Sequence, residues 1–133
     1  MKFSQDTFGG GYSIRAYNAG TVTVLSAGES GAPRSEVLKR SFIIAPQRLL
    51  RDWSPRQYAQ LLPEHFAVLL ELEPELVLFG TGETFRYPPP TLFAPLSQRG
   101  IGVEVMDTGA ACRTYNVLAG EGRQVVAAIL LES

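Results

Sequence analysis

Three apolar segments in the second half of the chain, "ELVLFG", "IGVEVM" and "RQVVAAILL", are separated by two helix-forming stretches. This alternation constrains the fold more than any other feature. Strand–helix–strand–helix–strand predicts parallel strands joined by right-handed crossovers. The first and last segments are continuously apolar rather than alternating, as required of parallel strands covered on both faces. "TLFAPLSQRG" supplies the first crossover helix, with Pro95 near its first turn and Gly100 as its stop. "TGAACRTYNVLAG" supplies the second, capped by Asp107 or Thr108 and ended by Gly120.

Upstream, "YSIRAYNAGTVTVL" reads as a β-hairpin. Ile14 and Ala16 alternate with Arg15 and Tyr17, Val22 and Val24 with Thr21 and Thr23, and the turn carries Asn18 and Gly20. "SGAPRS" reads as a loop and Glu36–Ile44 as a third strand. A helix is expected after Ser54, with Ser54 as N-cap, Pro55 in the first turn and Gln57 as the capping-box partner. Pro63 restarts it, because an interior proline lacks a donor and clashes with the preceding turn. The second piece runs to about Leu72. The expected fold is therefore α/β: one mixed β-sheet, in which an N-terminal antiparallel hairpin joins a C-terminal parallel βαβαβ half, with helices packed on the sheet. At 133 residues, a single domain over 1–133 is expected.

Several function classes lose support at once. Net charge is −1 and no Lys/Arg block stands out, so no nucleic-acid partner is expected. "MKFSQDTFGGGYS" lacks the apolar core of a signal peptide, and no apolar run reaches the length of a membrane span. No membrane insertion is expected, and the plain expectation is a cytoplasmic protein. Cys112 is the single cysteine, which excludes an internal disulfide and a multi-cysteine zinc site.

The glycine turn "FGTGETFRYPPP" invites a phosphate-binding reading, since Gly80 and Gly82 follow a strand. The dinucleotide fingerprint, however, wants a third glycine where Phe85 stands, and the P-loop lysine is missing. Neither a cofactor nor a metal is expected. One of the two glycines should take positive φ as the chain leaves a buried strand. The loop from Gly80 to Pro90 is long for a βα connection, and Pro88, Pro89 and Pro90 stiffen it around Phe85, Arg86 and Tyr87. His65, the only histidine, lies far in sequence from any nucleophile signature and reads as a half-exposed helix residue. Cys112 sits one turn into a helix beside Arg113, which favours thiolate, but Ala110 and Ala111 beside it point to tight packing.

Glu104 is an acid inside an otherwise apolar strand, costly there unless paired. Arg113 or Arg123 is the expected partner. A structural ion pair outweighs an acid/base pair with Asp107, because the two carboxylates lie across a strand end and do not converge. No catalytic residue is assigned. In the second crossover helix, Ala111, Tyr115 and Leu118 form a stripe that should pack on the sheet. Asn116 and a Glu121/Arg123 pair should tie the helix end to the last strand. The helix start, with the amides after Asp107 facing Gly80–Gly82, is where an anion would bind.

The segments Gly80-Thr81-Gly82, Gly102-Val103-Glu104-Val105-Met106, Asp107-Thr108, Arg113 to Leu118 and Glu121-Gly122-Arg123 carry a resemblance. The chain resembles a family of small bacterial and archaeal proteins related to a mitochondrial respiratory complex I assembly factor. A vertebrate adipogenesis-associated cytoplasmic protein belongs to the same group. The likeness is strongest from Pro74 to Leu130. It implies a compact α/β domain with a mixed sheet between helices and, by analogy, action through association with other proteins; it implies no known reaction.

Two functions are set against each other. The first is a non-enzymatic cytoplasmic domain that binds a protein partner during assembly of a membrane-associated complex. A flat apolar patch around Phe85, Tyr87 and Phe93 would favour it. The alternative is a small-molecule or anion-binding domain, or a weak enzyme. Its crevice would lie at the carboxyl edge of the parallel strands, lined by Gly80, Thr81, Gly82, Glu104, Met106, Asp107, Thr108 and Arg113.

Overall fold

The computed structural model describes residues 11–27 and 31–133. The reading of the first ten residues as lacking a leader lies outside the described part. Strands β1 (Tyr12–Asn18), β2 (Thr21–Ala27) and β3 (Pro33–Leu38) form an antiparallel three-stranded sheet in that order. Strands β4 (Phe42–Ile44), β5 (Leu49–Leu50), β6 (Leu76–Gly80), β7 (Gly102–Met106) and β8 (Val125–Ile129) form a second, five-stranded sheet in the order β5-β4-β8-β6-β7. The α/β class and the mixed sheet hold. The single continuous sheet does not: the expected strand Glu36–Ile44 breaks at residues 39–41 into β3 and β4, which belong to different sheets. Strands β6, β7 and β8 are parallel, and β4 joins β8 antiparallel.

All five residues of β8 are buried, as expected of the central strand with both faces covered. Alternate residues of the five-stranded sheet feed two cores. Phe42, Ile44, Leu78, Ala127 and Ile129 face the three-stranded sheet and α3 (Thr108–Gly120). Ile43, Val77, Phe79, Val126 and Ala128 face α1 (Pro63–Ala67) and α2 (Ala94–Ser97). On that second side Trp53, Phe66, Phe79 and Phe93 meet edge to face, with ring centroids 5.0–6.2 Å apart.

The helix expected from Ser54 does not form. Residues 52–56 take no regular secondary structure, and only a 3-10 turn appears at Tyr58–Gln60, where the Gln60 Oε1 accepts from the Arg56 and Gln57 N–H groups. Pro63 does open α1, at its first position, and a 3-10 segment continues to Leu72. That segment ends on Glu73 in the left-handed conformation, with φ 51°. A β-bulge between Ile14 and Ala16 shifts the alternation of β1. Ala16 therefore points outward and Tyr17 turns toward the core, the reverse of the simple pattern.

Candidate functional site

The carboxyl ends of β6, β7 and β8 meet at the start of α3. Gly80 is required by packing: a Cβ there would lie 3.0 Å from both Cα and Oγ1 of Thr108, and 3.2 Å from the Ala111 Cβ. Gly82 is required by conformation, at φ 107°, as expected for a chain turning off a buried strand. Thr81 is buried; its N–H donates to the Met106 carbonyl at 2.9 Å and its hydroxyl donates to the Thr84 carbonyl at 2.8 Å. Thr108, also fully buried, bridges the strand ends. Its N–H donates to the Gly82 carbonyl at 2.8 Å, its Oγ1 accepts from the Gly82 N–H at 2.9 Å, and its hydroxyl donates to the Leu130 carbonyl at 3.2 Å. Asp107 is the N-cap, accepting from the Ala110 N–H at 2.8 Å.

Gly80, Thr81, Gly82, Met106, Asp107 and Thr108 are thus brought together, and their polar groups are largely spent on one another. The Thr108 and Ala110 amides already have acceptors within the chain. Tyr17 covers the helix tip so closely that a Cβ on Gly109 would lie 3.3 Å from its ring. Sequence reading missed Tyr17, because only the bulge in β1 aims it there. An anion reaching the α3 start must displace these groups, which lowers the weight of that expectation.

Glu104 and Arg113 do not join the cluster. β7 is an edge strand, so Glu104 is exposed and needs no buried partner. Among the described residues it forms no ion pair. Arg123 bonds Glu75 at 3.0 Å instead, and Arg113 is exposed. The expected Glu104 pair and the Glu121/Arg123 pair are therefore both corrected. Asn116 is corrected too: it ties α3 to the hairpin, its Oδ1 accepting from the Ile14 N–H and its amide donating to the Ile14 carbonyl. Within the expected stripe, Ala111 and Tyr115 are fully buried and Leu118 packs at the margin, with the Tyr115 hydroxyl donating to the Tyr12 carbonyl at 2.9 Å.

Cys112 is buried, and that burial pushes its thiol up to about 12, against the weaker pull of Arg113 in the other direction. It is a packed thiol at neutral pH, which removes the case for a reactive cysteine. His65 is half-buried and structural: its Nδ1 accepts from the Leu62 N–H at 2.9 Å, and its carbonyl accepts from the Trp53 indole at 3.0 Å.

Beside Gly82 lies a crevice of about 270 Å³ lined by Tyr17, Gly82, Glu83, Thr84, Leu131 and Glu132. Glu132 is held by Arg86 through two hydrogen bonds of 3.1 Å and accepts from the Tyr58 N–H at 2.9 Å. Arg86 also stacks over the Tyr58 ring, 4.9 Å from its centroid. Burial, then Glu83, raises the Tyr17 phenol above its usual range. The anchored Arg86 stands between two exposed aromatics: Phe85 is 39% and Tyr87 86% exposed, and their rings meet edge to face at 4.5 Å. Phe93, expected in the same patch, is buried in the aromatic core instead. No helix among the described residues is long and apolar enough to cross a membrane.

Comparison with known proteins agrees with the architecture. The chain is 38% identical over 108 residues to the bovine (Bos taurus) NADH dehydrogenase [ubiquinone] 1 alpha subcomplex assembly factor 3, covering 77% of this chain and 59% of that protein. It is 36% identical over 66 residues to a 13 kDa major membrane protein of Francisella tularensis, covering 50% of this chain and 54% of that one. The chain thus spans little more than half the length of these curated relatives. A Xanthomonas campestris protein solved by NMR superposes with a TM-score of 0.78 at 37% identity, covering 98% of this chain and 92% of that one. A Bordetella pertussis protein described as a Mth938-like domain superposes with a TM-score of 0.71 at 28% identity, covering all of this chain and 94% of that one. The model of one family of proteins of unknown function, DUF498/DUF598, matches residues 14–130, and the chain belongs to that family.

Proposed function

We propose that this chain is a non-enzymatic, cytoplasmic domain that acts by associating with another protein during assembly of a membrane-associated complex. The observation that carries the proposal is the Phe85–Tyr87 pair. Two aromatic rings are held outside the core on a proline-stiffened loop, and Arg86 between them is clamped by Glu132 and Tyr58. Exposed aromatics on a pre-ordered loop lose little freedom on binding and are the residue type that dominates association energy. The bovine relative, named as an assembly factor, supports the same direction. The test places a photo-crosslinking residue at Tyr87 and, as control, at exposed Val117, followed by capture from native lysate. A discrete adduct from position 87 alone supports the proposal, and Tyr87→Ala should weaken recovery of that partner by about 2 kcal/mol, roughly thirtyfold in affinity. Equal adducts from both positions, or none from 87, would refute it.

The crevice beside Gly82 favours a second reading, a small-ligand site. Titration with phosphate, sulfate and small carboxylates, followed by amide NMR shifts, tests it. Saturable shifts centred on residues 17–20, 82–84 and 130–132 would support that reading, and their absence at millimolar concentration would remove it.

A further inference from the structure

A second surface lies between the short edge strand β5 and helix α1. A groove of about 660 Å³ opens there, with Leu49, Leu50, Trp53 and Val68 forming its apolar lining and Asp52 and Glu64 among its polar residues. Val68 is 43% exposed, an apolar side chain left in water at the groove's wall. The lining charges that take no ion pair among the described residues, Asp52 and Glu64, are both acidic. Both are exposed. Arg51, the only Lys or Arg in the lining, is engaged by Glu36 through hydrogen bonds of 2.7 and 2.9 Å. Glu71 and Glu73 follow closely on α1, and Arg48 and Arg56, which flank the β5 wall in sequence, are not among the lining residues.

We infer that this groove docks an amphipathic, basic helix of a partner protein. The apolar stripe of that helix would cover Leu50, Trp53 and Val68, and its Lys or Arg residues would meet Asp52 and Glu64. A strand is a poorer occupant, because β5 is only two residues long and offers little backbone edge to pair with. A second copy of this chain is disfavoured, since an isologous contact would set the same acidic rim against itself. An anionic membrane surface is a poorer occupant, because the lining offers it no unpaired Lys or Arg. The inference rests on the reading of the chain as a protein-association domain, but it uses neither the Phe85–Tyr87 loop nor a lysate.

The full chain should be titrated with a synthetic Leu/Lys amphipathic helix of about 18 residues, long enough to hold helical structure, and with its Leu/Glu counterpart. Amide NMR shifts and the single indole N–H resonance of Trp53 give the readout. The Leu/Lys helix is expected to cause saturable shifts at residues 43–54 and 64–68, and the Leu/Glu helix none. The double variant Asp52→Lys/Glu64→Lys should lose about tenfold or more in affinity for the Leu/Lys helix, while Glu83→Lys, outside the groove, should not. Should the double charge reversal fail to fold, Asp52→Asn/Glu64→Gln reads the same loss at smaller amplitude. Equal binding of both peptides, shifts elsewhere on the molecule, or affinity unchanged in the double variant would each overturn the inference. Trp53 shifts with anionic vesicles but not with the Leu/Lys helix would assign the groove to lipid. Concentration-dependent shifts without any peptide would assign it to a second copy. Failure of the peptide while Tyr87 still crosslinks a partner would end this inference and leave the association reading intact.

Discussion

Replacing Thr108 by valine is the sharpest probe of the strand-end cluster. Valine keeps the shape and the β-branch but removes the hydroxyl, which accepts from the Gly82 N–H and donates to the Leu130 carbonyl, both buried. Each hydrogen bond contributes about 1 kcal/mol net, and stranding the Gly82 donor adds about 1–3 kcal/mol. The donation to Leu130, at 3.2 Å, is the weaker of the two, so a total of about 3 kcal/mol is expected. For 133 residues the unfolding entropy near the melting point is about 0.28 kcal/mol/K. The loss then corresponds to a drop in Tm of about 11 °C. Urea and thermal melts of Thr108→Val, Thr108→Ser and the parent chain provide the assay. Serine keeps both hydrogen bonds and loses one methyl, so it should cost only about 1 kcal/mol. A valine variant within about 0.5 kcal/mol of the parent, or one more stable than the serine variant, would refute the role of Thr108 as a polar bridge.

Other perturbations test separate parts of the same account. Gly80→Ala should destabilise by about 1–3 kcal/mol, since the new methyl would press on the Thr108 backbone, and its denaturation midpoint should fall accordingly. Glu73→Gly should stabilise by about 0.5–1 kcal/mol in urea melts, because the relief of left-handed strain exceeds the added freedom of the unfolded chain. Cys112 holds its proton more tightly folded than unfolded, so its contribution is fully present below the ordinary thiol range and is lost as pH rises toward about 12. Stability should therefore fall with alkaline pH, and Cys112→Ala should show a shallower slope across pH 9 to about 12 in melts at fixed salt.

Features governed by neighbours in sequence were legible. The Asp107 cap, the positive φ of Gly82, the helix start at Pro63 and the buried run of β8 each follow from a few adjacent residues. What escaped depended on which strand lies beside which. Glu104 looks as though it needs a partner only if β7 is interior, but β8 inserts between β4 and β6 and leaves β7 at the edge. Arg123 then serves Glu75, and Asn116 reaches across to Ile14, a partner 102 positions away. Tyr17 was hidden by a one-residue bulge that no alternation pattern announces. Ser54 and Pro55 have the sequence of a cap, yet the segment forms no helix, with Trp53 sunk into the aromatic core. In the candidate site, the backbone cluster was foreseeable from its glycines and cap, whereas Glu132 and its clamp on Arg86 were not.

The strand order also sets a timetable. The middle strand of the five-stranded sheet is the last of the five in the chain, so during synthesis the β4–β5 pair and the β6–β7 pair have no common neighbour until residues 125–129 emerge. Both cores lack their shared wall until then, and the apolar faces of the two pairs wait in contact with water or with a chaperone. A nascent chain halted before Val125 should therefore be protease-sensitive along nearly all of its length. Release of a few more residues should convert it in one cooperative step, which makes ribosome-stalled chains of graded length a direct way to watch this fold close.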